Sequence, residues 1–310
     1  MITLKQRLLT PANLLFALAL IANLALPDAD SSRAHPNYAT GFLVFVEALN
    51  LIGCAVARQR RTLNLVKDVS AFVFAAVGLW LLATTKFSLV NPVLFPTPGA
   101  VFSQIVEDAD KILVNIQSSL GIVVEGFVLG AVPAIALGLF LGWNLRVGHA
   151  ASRLSSFFAS IPPVVYIPYA IALLPTFRAG SVFVIFLATF WPVFINTMSG
   201  VVNIDSRLVD SARTLNVGAP TLLARIIFPA ALPQIFTGLS LGLCFSFILL
   251  TSAEMIGASA GLGYYVKNYS DLGDYTRTVA GILVIGAVIS LVTYGFDRIQ
   301  RRALRWKATE

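Results

Sequence analysis

Of the 310 residues, 57% are hydrophobic and 12% are charged, against about 25% charged in a soluble domain, which excludes a water-soluble globular fold. Two cysteines and two histidines are too few for a disulfide framework or a metal cluster, and no cofactor site is expected. The net charge of +7 requires no nucleic acid, because Lys and Arg collect at one membrane face and are drawn to anionic lipid headgroups.

An apolar run of about twenty residues spans a bilayer as a helix, since lipid offers backbone polar groups no partner. Eight candidate runs occur in chain order: Leu14–Leu26, Tyr38–Ala57, Val69–Thr85, Leu120–Leu141, Leu154–Pro175, Ser181–Val202, Gln234–Ala253 and Thr278–Phe296. The expected fold is an all-α integral membrane protein with about eight transmembrane helices. The first run is short and follows Lys5 and Arg7, but it ends at Pro27-Asp28 without a small-x-small cleavage site, so it reads as a retained helix. Cys54 and Cys244 fall inside spans and read as packing residues. Glu47, in the middle of the second run, is expected to be protonated or bonded to a neighbouring helix.

The later runs hold the candidates for a translocation path. Glu125 stands in the fourth run beside Gly126 and Gly130; an intramembrane carboxyl faces a protein interior or a water-filled cavity, or snorkels to the headgroups. Pro162 and Pro163, with Pro168, interrupt the fifth run and free carbonyls that neighbours or a wet path must satisfy. Asn196, in the sixth, can bond across a dimer or line the path. Gly238, Ser240 and Gly242 in the seventh suit close helix packing. The stretch Gly257–Gly263 is too glycine-rich for a helix and reads as an external re-entrant turn, with Glu254 capping it or pairing with a partner's Arg.

Between the sixth and seventh runs lies a basic amphipathic segment, residues 203–233. Asp205 or Ser206 can cap a first helix, whose apolar positions are Leu208, Val209, Ala212 and Leu215. Asn216 is suited to a left-handed helix terminus, a job Gly218 can share. Pro220 suits the first turn of a second helix, with Leu222, Leu223, Ile226 and Ile227 on one face. Pro229 and Pro233 are expected to bend the chain back toward the bilayer.

The spacing of this segment resembles the cytoplasmic loop of binding-protein-dependent ABC transporter permeases: Glu-Ala-Ala, three residues, Gly, nine residues, Ile-x-Leu-Pro. Asp210-Ser211-Ala212 fill the first positions, Asn216 stands for Gly, and Ile226, Phe228 and Pro229 fill the last in register. Three further segments resemble the nitrate, sulfonate, taurine and bicarbonate group of these permeases. They are Leu94–Pro98, Ser160–Pro163 with Ile167-Pro168, and Ala253–Ile256 with Gly261–Tyr264. The resemblance covers the chain from about Val69 onward and implies a six-helix permease core, residues 63–310, behind a two-helix N-terminal extension, residues 1–62.

It also implies partners: a separate ATP-binding subunit, a second permease subunit (a copy or a paired relative) and a solute-binding protein. No Gly-x-x-x-x-Gly-Lys-Ser/Thr loop occurs, so a non-catalytic membrane subunit is expected. The ATPase-coupling residues on this reading are Asp210, Ser211, Ala212, Arg213, Asn216, Val217, Gly218, Arg225, Pro229 and Pro233, with the small Ala212 permitting close approach of the ATPase. Placing both termini in the cytoplasm puts Arg60, Arg61, Lys67, Arg146, Arg153, Arg207, Arg225 and the arginines at 298–305 inside, in a plasma (inner) membrane. A secondary transporter predicts an inverted repeat, and a membrane enzyme predicts a polar cluster at one face; neither pattern is found. The substrate stays open among small anions, sulfonates, nitrate and a vitamin precursor.

Overall fold

The computed structural model describes residues 10–30, 34–57 and 60–307, and every regular element among them is helical. Helices α1 (Pro11–Ala25), α2 (Pro36–Val56), α3 (Arg60–Leu81) and α4 (Pro98–Glu107) come first. Thr10 and Thr97 cap α1 and α4 by accepting N–H bonds from Asn13 and Ala100, each followed by a proline in the first turn, where a missing N–H is harmless. Next come α5 (Ala109–Gly142), α6 (Leu145–Ala159), α7 (Tyr166–Leu173) and α8 (Phe177–Val202). The chain continues through α9 (Ser206–Thr214), α10 (Ala219–Leu222), α11 (Phe228–Gly257), α12 (Leu262–Asp271) and α13 (Tyr275–Ala303).

Among the described residues, six helical stretches are long and apolar enough to cross a membrane, and α1 and Pro163–Leu173 are shorter apolar helices. The fifth expected run, Leu154–Pro175, is not one helix. It breaks after Ala159, passes through a 3₁₀ turn at Pro163–Val165 and resumes as α7. Adjacent prolines remove two N–H donors and push the preceding residue out of the helical region, so the ladder cannot pass.

Two compact units emerge: residues 1–112 with 268–283, and residues 113–267 with 284–310. In the first, α1, α2 and α3 pack together around Ala12, Ala19, Leu43 and Phe74. Glu47 is buried, and Asn50 Nδ2 donates to both its Oε2 and Asn13 Oδ1, at 3.1 Å each, tying α2 to α1. A π-turn at Leu82–Lys86 ends α3 and turns Lys86 inward. Its ammonium donates to the Asn23 and Leu26 carbonyls at 2.8 Å and to Asp28 at 2.6 Å, so all three donors are used and the C-terminal carbonyls of α1 gain a cation. Arg277 joins Asp108 and Asp274, both at 2.7 Å, and ties α13 to the end of α4.

In the second unit α8 is flanked by α5 and α11. Along α5, Gly126, Gly130, Gly138 and Gly142 recur on one face, with Ala134 completing the four-residue spacing. A methyl group added at Gly130 would lie 2.7 Å from the Phe186 carbonyl oxygen, and one at Gly138 would lie 2.8 Å from Thr197 Cβ. On the other flank, a methyl group added at Gly238 or Gly242 of α11 would lie 2.9 Å from Val193 Cα or 3.2 Å from Thr189 Cα of α8. Helices in lipid gain nothing from hiding apolar surface and associate by close packing, which small residues permit. The role expected for Gly238 and Gly242 is seen here. Thr189 and Ser246 add a buried hydroxyl bond of 3.0 Å between α8 and α11.

Candidate functional site: the segment 203–233 and the polar groups of the spans

Asp205 starts the segment by accepting the Arg207 N–H at 2.9 Å. Helix α9 ends where Val217 N–H bonds back to the Ala212 carbonyl at 3.2 Å and Asn216 takes a φ of 56°. Asn is therefore in the left-handed conformation its place in the sequence predicts. Gly218 takes no part in that terminus. With φ −63° and ψ 150° it is the extended N-cap of α10. Pro220 lies in the first turn of α10, as expected.

Pro229 and Pro233 leave the helix unbroken, because Ala219–Gly257 is one continuous helical stretch. The π-turn at Leu223–Ile227, closed by Phe228 N–H on the Leu223 carbonyl, comes just before the prolines. Its wider turn makes room for the Pro229 ring and shifts the bonding to residues that still have an N–H. Ala212, in turn, is buried within the chain. It is 4% exposed and packs with Val201, Leu222, Ile227, Ala231 and Ile235, with Val217 and Ile204 beside them. Its small size serves the internal seam between α9 and the helices behind it.

The outward face of α9 carries Leu208, 52% exposed, and Leu215, 78% exposed, seven residues apart and so on one side, with Ser211 between them. Asp210 and Arg225 are exposed too, and the Arg213 side chain lies outside the described residues. The sequence pattern grouped Leu208, Ala212 and Leu215 as one face; packing splits them, burying the alanine and leaving the leucines bare.

Among the path candidates, Glu125 is joined by a residue that the sequence pattern does not single out. Arg178, in the first turn of α8, donates from Nε and Nη2 to Glu125 Oε2 at 3.1 and 2.7 Å, with side chains 61% and 44% exposed. Fifty-three positions separate the two, so no local spacing announces the pair. Pro162 is the N-cap of the 3₁₀ turn that Pro163 begins. Asn196 bonds the Pro192 carbonyl of its own helix at 2.8 Å, and its Cβ faces Gly238. It thus sits in the α8–α11 seam.

Glu254 is 1% exposed and caps the glycine-rich turn. Gly263 N–H donates to its Oε2 at 2.7 Å, and Ser119 Oγ–H donates to its Oε1 at 2.6 Å. Ser119 Oγ accepts from Leu262 N–H at 2.9 Å, and Asn115 Oδ1 from Gly261 N–H at 2.7 Å. The opening N–H groups of α12 are thus satisfied by side chains of α5 and α11, not by its own preceding residue. Gly261 has a φ of 130°, and a Cβ there would overlap the Glu254 carboxyl. The i, i+4 pair Asn115 and Ser119 is a signal the sequence did carry. Glu254→Ala is expected to leave the Gly263 N–H unpaired, a cost of about 1–3 kcal/mol. Hydrogen exchange at residues 261–263 should then quicken by about ten- to a hundredfold; unchanged exchange would show that the turn is held otherwise.

Residues 134–306 match the family described as the binding-protein-dependent transport system inner membrane component. A probable ABC transporter permease protein of Brucella abortus is 32% identical over 237 residues, 74% of this chain and 92% of that protein. A putative aliphatic sulfonates transport permease of Bacillus subtilis is 27% identical over 223 residues, covering 71% and 80%. A nitrate import permease of Synechocystis is 30% identical over 175 residues, covering 56% and 64%. Among solved structures, an inward-facing MetNI methionine ABC transporter matches with a TM-score of 0.54 at 16% identity, covering 62% of this chain and 96% of the matched chain.

Proposed function

Because the chain belongs to the family of binding-protein-dependent transport system inner membrane components, we propose that it forms the translocation path of an ABC importer and is driven by a separate ATPase docked on segment 203–233. The observation that carries this is the form of that segment. A short helix, a left-handed hinge at Asn216 and a second helix continuous with a membrane span give a soluble partner a lever into the bilayer. Its exposed Leu208 and Leu215 provide the grip.

Both termini lie in the cytoplasm on this reading, since the basic residues then fall on that side. Residues 1–62 are an addition to the permease core of 63–310, and a second permease subunit completes the path. The solute is a small anion, in keeping with the sulfonate and nitrate relatives. The Arg178 cation at an exposed position suits that charge. A polar cleft of about 530 Å³, whose lining includes His35, Thr97, Gln104, Glu107 and Asp274, is the seat for the solute-binding protein.

The test is to purify the tagged chain from its native membrane and reconstitute what comes with it. An ATPase should co-purify, and vesicles given the binding protein and internal ATP should accumulate nitrate, an alkanesulfonate or bicarbonate. A chain that purifies without an ATPase and carries a solute on an ion gradient alone would overturn the reading.

A further inference from the structure

The last helix ends in a feature that transport does not explain. Tyr294, Arg298, Arg301 and Arg302 fall at offsets of four, seven and eight, so they share one face of α13, and Arg305 follows in the 3₁₀ turn just past its end. Together they line a concavity of about 400 Å³. All four arginines are exposed, and Arg301, Arg302 and Arg305 have no ion pair among the described residues. Asp297 is a neighbour in sequence but is not part of the lining. Arg298 is already positioned, donating from Nη1 to Tyr294 Oη at 3.0 Å with its guanidinium over the Tyr294 ring at 5.8 Å.

We propose that Arg298, Arg301, Arg302 and Arg305, with Tyr294, form a binding site for the phosphate of an anionic phospholipid headgroup. Three observations select lipid over an acidic protein surface. The first arginine stands two residues past Phe296, where the apolar part of the span stops and the headgroup layer starts. Tyr294, 57% exposed, is an amphipathic ring of the kind that settles at that depth, and the bare Leu291 one turn before it meets acyl chains. All four cations are Arg, whose planar fork takes a phosphate through two bonds at once. A merely positive face, as orientation requires, needs neither the concavity nor the shared stripe. The site depends on α13 crossing a bilayer, and not on which solute the protein carries or what drives it.

The test is native mass spectrometry of the full-length chain, with whatever subunits co-purify, after delipidation and addition of phosphatidylglycerol or phosphatidylcholine. The wild type should retain phosphatidylglycerol about tenfold better. R301Q/R302Q should lower that retention about tenfold, and R301K/R302K should lower it less, keeping charge without the fork. R60Q/R61Q makes the same change of charge on α3 and should have no effect. Unchanged retention in R301Q/R302Q would overturn the site, as would an equal loss in R60Q/R61Q, which would reduce it to bulk charge. Displacement of the lipid by millimolar inorganic phosphate would make it a free-anion site instead. Loss of ATPase co-purification with lipid retention intact would assign the stripe to the protein partner.

Discussion

Replacing Leu208 and Leu215 together by Asp is expected to abolish ATP-driven uptake while the permease still inserts at wild-type levels. The two side chains are largely bare on the outward face of α9, so the free subunit loses little packing when they go. At a docked interface each leucine contributes about 1.5–3 kcal/mol by leaving water. Two such losses, with two carboxylates desolvated in exchange, weaken association by at least about a hundredfold. Co-purification of the ATPase and uptake should fall together at matched amounts of inserted protein. Retention of both would take the coupling role away from α9. Ala212→Trp is a poor probe of the same interface, although sequence spacing nominates it. Its side chain would be forced among Val201, Leu222 and Ile227 and would damage the loop before any partner arrived.

Gly130→Leu is expected to be the most damaging single change in the spans. The first added carbon would lie 2.7 Å from the Phe186 carbonyl oxygen and 2.9 Å from Thr189 Cβ. Because the nearer obstacle is backbone, it cannot rotate aside, and α5 must move off α8. Overpacking of this kind costs about 1–3 kcal/mol, with the upper end expected here, and should lower the thermal midpoint in detergent by roughly 5 °C or more. Gly286→Leu in α13, where nothing of this chain lies within 4 Å, makes the same chemical change without the clash and serves as the control. Equal midpoints for the two variants would mean that the glycine face of α5 does not set the helix spacing.

What the sequence could and could not announce follows from the range of the forces involved. Span positions are legible because about twenty apolar residues must cross lipid as helix, whatever surrounds them. The hinge at Asn216 is legible too, because a left-handed helix end is a local backbone requirement that Asn meets. Caps such as Thr10, Thr97 and Asp205 act within three residues of themselves. The break at Pro162-Pro163 is half legible: the prolines are visible, but the 3₁₀ turn and the short α7 that stand in place of one continuous helix are not.

The sequence by itself determined the membrane class, the helical spans, the left-handed hinge and the family pattern. Each of these is written in local composition or in spacing along one strand of chain. Tertiary structure alone decided which face of α9 is bare, since Ala212 and Leu215 differ only in what packs over them. It decided that Glu125 meets Arg178, that Glu254 and Ser119 cap α12 across helices 135 residues apart, and that Lys86 closes over the end of α1. A buried polar group takes the partner the packed helices bring to it. That partner depends on the angle and depth at which helices meet, and periodicity along a single helix does not encode either.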